Sequence, residues 1–151
     1  MYIFNWVIKN ELAIGSCPKN ELDILALKEK NIKSVLCLSD KFEAPNLNYE
    51  KHNIVFKRNF LPDHKYSSTL EINDVLLAYE SLKILIGTKS PLLVHCFASI
   101  ERSPLLCIAY LIREKDMNFN DAVAYMMHIH PLTNPLSAQL KIIKKFCKKT
   151  L

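Results

Sequence analysis

Leu92-Leu93-Val94-His95-Cys96-Phe97-Ala98-Ser99-Ile100-Glu101-Arg102-Ser103-Pro104-Leu105-Leu106-Cys107-Ile108 is the stretch that decides the fold. Its opening, Leu92 to His95, is entered through Pro91 and reads as a short buried strand. Its end is apolar nearly all round through Ile112, the pattern of a buried helix, with Ser103 as N-cap and Pro104 at the first helical position. Strand, tight loop and helix N-terminus in that order is a building unit of α/β folds. Moving toward the N-terminus, Ser68 to Ile86 reads as a helix. Ser68 and Glu71 are spaced as a capping box, Ile72, Val75, Leu76, Tyr79 and Leu82 share one face, and Gly87 is placed to stop it. Ile54 to Phe60 and Ser34 to Leu38 are further β-rich runs. Asn20 to Lys30, with apolar Leu22, Leu25 and Leu27, reads as a short helix. Phe4 to Ile8 and Glu11 to Ile14 read as two strands joined by a turn at Lys9-Asn10. Past the deciding stretch, helices are expected over about 118–129 and 135–149. The pattern implies an α/β fold, a central mostly parallel sheet of about four to five strands flanked by helices on both faces.

The chain has 151 residues, 50% of them apolar, enough for one core, so residues 1–151 are read as a single domain. With 23% charged residues and no apolar run of about 18 or more, disorder and a membrane span are both disfavoured. The first eleven residues lack the pattern of a secretory signal, which points to the cytoplasm. Five cysteines (17, 37, 96, 107, 147) lack CxxC spacing and His/Cys ligand pairs, so neither a disulfide framework nor a metal site is expected, and no cofactor. The net charge of +5 is concentrated at the end, where Lys141, Lys144, Lys145, Lys148 and Lys149 interleave with Leu140, Ile142, Ile143 and Phe146. That is a terminal helix with a solvated basic face, and no nucleic-acid partner is expected. Oligomeric state is not readable.

The loop between strand and helix carries chemistry. Backbone N–H groups wrapped ahead of a helix N-terminus suit a tetrahedral dianion, so phosphate is the natural ligand. The same field favours the thiolate of Cys96 and makes it a nucleophile. The planar fork of Arg102 can hold two phosphoryl oxygens, and Ser103 could donate its hydroxyl to the sulfur. Taken alone, the spacing is also that of a small buried cysteine at a strand end.

His95-Cys96-Phe97-Ala98-Ser99-Ile100-Glu101-Arg102-Ser103 closely resembles the signature loop of the protein tyrosine phosphatase superfamily, His-Cys-x-x-Gly-x-x-Arg-Ser/Thr, particularly its dual-specificity branch. Pro104 to Ile112, with Ala109-Tyr110-Leu111, looks like that branch's following helix. Asn118 to Val123 resembles its next helix start, Gln139-Leu140 its late Gln-Leu, and Leu12-Ala13-Ile14-Gly15-Ser16 its opening strand and turn. The resemblance implies a metal-independent phosphomonoesterase working through a phosphocysteine on Cys96. Phe97, Ala98, Ser99, Ile100, Glu101 and Arg102 would bind the phosphoryl group, while His95 would order the loop. It also implies a general acid about thirty residues upstream. Asp63, in Leu61-Pro62-Asp63-His64, lies 33 residues before Cys96 and is the sole carboxylate between Glu50 and Glu71. His64 is the weaker candidate, read as solvent-exposed. The substrate implied is a phosphorylated partner, a phosphoprotein first.

Two residues depart from the pattern. Ser99 replaces the glycine, so a left-handed backbone there would carry strain of about 1 to 2 kcal/mol. Glu101 stands where the branch often has serine, and is expected to turn outward because an unpaired buried carboxylate is expensive. A loop detuned by these changes would make a phosphate- or phosphoprotein-binding module. A phosphatase for a phosphoinositide, an RNA 5′ phosphate or a phosphoglucan is a further alternative. Cys37, near a central strand end, is read as a core cysteine, with a resolving-thiol role for oxidised Cys96 as the other possibility.

Overall fold

Five strands make one mixed sheet in a computed structural model that describes residues 2–63 and 69–148. They are β1 (Phe4–Ile8), β2 (Leu12–Gly15), β3 (Ser34–Cys37), β4 (Val55–Arg58) and β5 (Leu92–His95), in the order β1-β2-β5-β3-β4. β1 and β2 form an antiparallel hairpin, and β2–β5, β5–β3 and β3–β4 pair in parallel. The hairpin turn falls at Lys9-Asn10 as expected, with Asn10 at φ 63, a left-handed conformation asparagine tolerates. β5 lies centrally, and all four of its residues are buried, which is why that run is continuously apolar up to its histidine. Edge strand β4 instead alternates exposed and half-buried positions.

The helices are α1 (Glu21–Glu29), α2 (Ile72–Lys89), α3 (Arg102–Lys115), α4 (Phe119–Ile129) and α5 (Ser137–Lys148). Successive strand residues point to opposite faces. Leu12, Ile14, Leu36, Leu92 and Val94 pack with residues of α2, α3, α4 and α5, whereas Ala13, Val35 and Leu93 pack with Ile24 and Leu27 of α1. None of the helices among the described residues is long and apolar enough to cross a membrane.

Several element boundaries differ from the sequence reading. Asn20 caps α1 by accepting a hydrogen bond from Asp23 N–H, and this phase turns Ile24 and Leu27 to the sheet. Leu22 and Leu25, two of the three leucines that mark this helix in the sequence, are 74% and 42% exposed. α2 begins three residues later than a Ser68 cap implies: Glu71 is its N-cap, and the Asp74 carboxylate accepts from Glu71 N–H at 3.0 Å. Ser68 lies outside the described residues. Gly87 does not stop α2, which continues to Lys89 and ends where Pro91 forces extended backbone on Ser90. Leu76 faces outward at 37% exposure, its place inside taken by Ala78 and Leu85. α3 starts at Arg102 with Glu101 as N-cap, so Ser103 is its second residue and Pro104 its third. Proline fits there because N–H groups of a first turn have no intrahelical partner. The basic face of α5 is as read, with Lys141, Lys144, Lys145 and Lys148 exposed over buried Ile143 and Phe146. Lys149 lies outside the described residues.

Candidate active site

β5 delivers His95 and Cys96 to the C-terminal edge of the sheet's middle, the place where open α/β sheets gather their ligands. Cys96 is 2% exposed, and its Sγ lies 3.1 Å from Ser103 Oγ in the first turn of α3. Ser99 Oγ is 3.4 Å from the same hydroxyl. Ser99 has φ 60, so the serine adopts the left-handed backbone expected at this position, with the strain that goes with it. The Leu38 N–H bonds to the His95 carbonyl at 2.9 Å and ties the loop's base to the end of β3.

Arg102 is 3% exposed and holds the loop's mouth together. Nη2 and Nη1 donate to the two carboxylate oxygens of Glu43 at 2.7 and 3.2 Å, Nη1 donates to the Leu61 carbonyl at 3.2 Å, and Nη2 meets Asp63 Oδ2 at 3.4 Å. Burial opposes the guanidinium charge, but the hydrogen bonds from Arg102 to Glu43 and the negative groups around it prevail and raise its pKa above the ordinary value. Both carboxylates arrive by local design. Asp40 Oδ1 accepts from the N–H groups of Phe42 and Glu43 at 2.9 Å each, an Asx turn that presents Glu43. After β4 the chain stays beside β3, with Asn59 N–H on the Cys37 carbonyl and Leu61 N–H on that of Leu38, and so places Leu61 and Asp63 under the guanidinium.

Asp63, Cys96, Phe97, Ala98, Ile100, Glu101 and Arg102 line one cavity of about 90 Å³. A wider depression of about 690 Å³ between α2 and α5 offers Arg113 and Glu71 among apolar walls but no thiol. Of the residues expected to bind the phosphoryl group, all but Ser99 line the small cavity; Ser99, His95 and Ser103 are buried behind it. Glu101 accepts from Gln139 Nε2 at 2.9 Å, so a partner on α5 holds this carboxylate at the cavity rim. His95 Nδ1 lies 3.0 Å from the Cys96 carbonyl, and burial pushes its pKa down to about 4, so the ring is neutral and donates to that oxygen. Cys37 is fully buried beside Cys17 and Ala44, in register with His95, its Sγ 3.5 Å from the Ser39 carbonyl. Burial raises its pKa. His64 lies outside the described residues.

Sequence reading missed Glu43 and the residues that grip the loop's outer side, His130 and Asn134, and it named Gln139 without its partner Glu101. Glu43 had one usable signal: it follows β3, whose C-terminal end borders that of β5.

A model of the dual specificity phosphatase catalytic domain matches residues 12–149. The chain belongs to this family. Among its relatives, the dual specificity protein phosphatase Mpk3 of Drosophila melanogaster is 31% identical over 131 residues, 85% of this chain and 30% of that protein. The phosphatidylglycerophosphate phosphatase PTPMT2 of Arabidopsis thaliana is 26% identical over 151 residues, 96% of this chain and 64% of that protein. The chain thus spans less than two thirds of the length of either relative. The crystal structure of PTPMT1 in complex with PI(5)P superposes with a TM-score of 0.82, at 16% identity and with coverage of 97% of this chain and 95% of that one, a likeness of fold. The two residues expected to disturb the loop sit in it as a left-handed serine, Ser99, and as a carboxylate held by Gln139, Glu101.

Proposed function

We propose that this domain is a metal-independent phosphomonoesterase acting through a phosphocysteine. The observation that carries the reading is the convergence of a thiol, a guanidinium and a carboxylate, Cys96, Arg102 and Asp63, on one cavity at the N-terminus of α3. Cys96 Sγ attacks phosphorus while the P–O ester bond breaks, and Asp63 gives its proton to the departing oxygen, releasing an alcohol or phenol. Arg102 and the loop N–H groups hold the three remaining phosphoryl oxygens. A bound phosphoryl group takes over the guanidinium edge that now meets Asp63 Oδ2 at 3.4 Å, which frees the carboxyl to turn to the leaving oxygen. Water then attacks phosphorus, Asp63 accepts its proton, and the S–P bond breaks. Ser103 Oγ–H, 3.1 Å from Sγ, donates to the sulfur as it leaves, and inorganic phosphate is released.

A phosphoprotein is the substrate favoured by the 31% identity to the Mpk3 phosphatase. A phospholipid monoester is a second reading, supported by similarity to PTPMT2 along 96% of the chain. Hydrolysis of p-nitrophenyl phosphate in chelator tests the chemistry. Cys96→Ser is expected to be inactive and Asp63→Asn to lose about 10²-fold or more in kcat. Turnover that survives Cys96→Ser overturns the mechanism; phosphate binding with no turnover by the folded, reduced protein makes this a binding module. Phosphopeptides set against short-chain phosphatidylglycerophosphate then choose the substrate class.

A further inference from the structure

Outside the cavity, a second group of side chains grips the same loop. His130, the C-cap of α4, is fully buried, and its Nε2 lies 2.8 Å from the Ser99 carbonyl oxygen. Its Nδ1 lies 2.8 Å from the side-chain nitrogen of Asn5 on β1. An amide NH₂ only donates, so Nδ1 is the acceptor and the ring's one proton sits on Nε2, directed at Ser99. One residue group further, the Asn134 N–H bonds to the Ile100 carbonyl at 2.9 Å. From Ser99 the contacts continue through Ser99 Oγ and Ser103 Oγ to Cys96 Sγ.

We propose that Asn5 and His130 are positioning residues for phosphoryl transfer, which hold Ser99 in the left-handed turn that the family pattern assigns to glycine. The proposal rests on the reading of Cys96 as the nucleophile. Glycine enters this conformation freely, but serine does so against its β-carbon and relaxes toward negative φ unless something retains it. The Nε2–H of His130 supplies that restraint, and it acts through geometry. In a planar trans peptide the carbonyl and the next N–H point in opposite directions. Fixing the Ser99 carbonyl on His130 therefore turns the Ile100 N–H away from His130, toward the side on which Ile100 lines the cavity. The Asn5–His130 pair thus aims a loop amide at the phosphoryl oxygens and keeps the Ser99 and Ser103 hydroxyls near sulfur.

The test compares His130→Leu, His130→Gln and Asn5→Leu, each in the natural chain and with Ser99→Gly. Two quantities are read: kcat and KM for p-nitrophenyl phosphate, and the affinity of Cys96→Ser protein for inorganic phosphate by calorimetry. His130→Leu is expected to lose about tenfold in phosphate affinity and in kcat/KM, the effect of one buried hydrogen bond. Glutamine can accept from Asn5 and donate to Ser99, so His130→Gln is expected to recover most of the loss. With Ser99→Gly, His130→Leu is expected to change either quantity by no more than about twofold, since glycine needs no restraint. An equal loss in the Ser99→Gly background, or glutamine no better than leucine, overturns the proposal and leaves His130 as packing. Phosphate affinity is read without turnover, so a protein that hydrolyses nothing fails the proposed function while still testing this one. Should His130→Leu not fold, Asn5→Leu is read in its place: it is expected to lose severalfold in phosphate affinity in the natural chain and no more than about twofold with Ser99→Gly, and an equal loss in both backgrounds overturns the proposal.

Discussion

Arg102 and Glu43 form the tightest buried ion pair of the site, 2.7 Å between guanidinium and carboxylate with both side chains more than nine-tenths buried. Removing one partner of such a pair leaves an uncompensated buried charge, a loss of about 3 to 5 kcal/mol. Phosphate would resupply that negative charge. Glu43→Gln is therefore expected to unfold at lower temperature than the natural chain, and inorganic phosphate is expected to raise its Tm by more. Equal phosphate-induced shifts in thermal melts of the two proteins would show that Glu43 does not balance Arg102. Neighbouring His95 sets a pH dependence. Burial holds it neutral, with its pKa near 4 against an ordinary 6.5. The unfolded chain takes up a proton below pH 6.5 that the folded chain refuses until about pH 4, so the contribution is whole above 6.5 and lost between 6.5 and 4. The loss amounts to roughly 3 kcal/mol over that window. His95→Asn keeps a donor for the Cys96 carbonyl and removes the titration, so its urea midpoint is expected to fall less than the natural chain's between pH 6.5 and 5. At this scale Cys96, Arg102 and the strained Ser99 were legible because all lie within seven consecutive residues. Glu43 was not: its role is a contact across 59 positions, and nothing in a lone loop glutamate announces its partner.

Elements were legible where hydrophobic periodicity was strong and misplaced where local capping decided the phase. α1 shows this best. Leucines at 22, 25 and 27 marked the helix, yet its phase after the Asn20 cap turns Ile24 and Leu27 inward and leaves Leu22 in solvent. α2 shows the limit of glycine as a stop. Gly87 sits inside the helix, without positive φ, and a β-carbon added there meets nothing within 4 Å. Helical glycine costs about 1 kcal/mol against alanine through chain entropy, and no steric term opposes the exchange here. Gly87→Ala is expected to stabilise the protein by about 0.5 to 1 kcal/mol, read as a higher urea midpoint at unchanged m-value and unchanged activity. Gly15 gives the opposite expectation by the same reasoning. A β-carbon on it would stand 2.7 Å from the Ile3 carbonyl, where the chain of β1 approaches β2. A Gly87→Ala protein less stable than the natural chain would mean that α2 is not formed through its last turn.

Across the whole molecule the sheet separates two unequal cores, and the loop that begins at Cys96 belongs to the larger. On one face α1 contributes Ile24 and Leu27; on the other, every residue from Arg102 to Leu111 of α3 is buried among α2, α4, α5 and the strands. The asymmetry explains why the site was only half legible. What the chain carries locally, from β5 through the loop into α3, shows in sequence as one apolar run around a Cys and an Arg. What the larger core brings to it, Gln139 from α5 and His130 from the end of α4, reaches the loop through contacts across 38 and 31 positions, which no local pattern encodes. The same asymmetry sets an order of opening. Local stability follows buried apolar contact, so an element with two buried residues opens at less free energy than one with ten. Amides of α1 are expected to exchange with deuterium through an opening well below the global unfolding energy, while those of α3 and β5 exchange only with global unfolding. Leu27→Ala and Leu106→Ala separate the two cores further. Each removes a fully buried leucine and is expected to cost about 2 to 5 kcal/mol, but only Leu106→Ala loosens the helix that carries Arg102 and Ser103. Phosphate affinity measured well below each variant's melting temperature is therefore expected to fall in Leu106→Ala and hold in Leu27→Ala. Equal exchange protection in α1 and α3, or equal loss of phosphate affinity in the two variants, would mean that the sheet couples both faces into one cooperative unit.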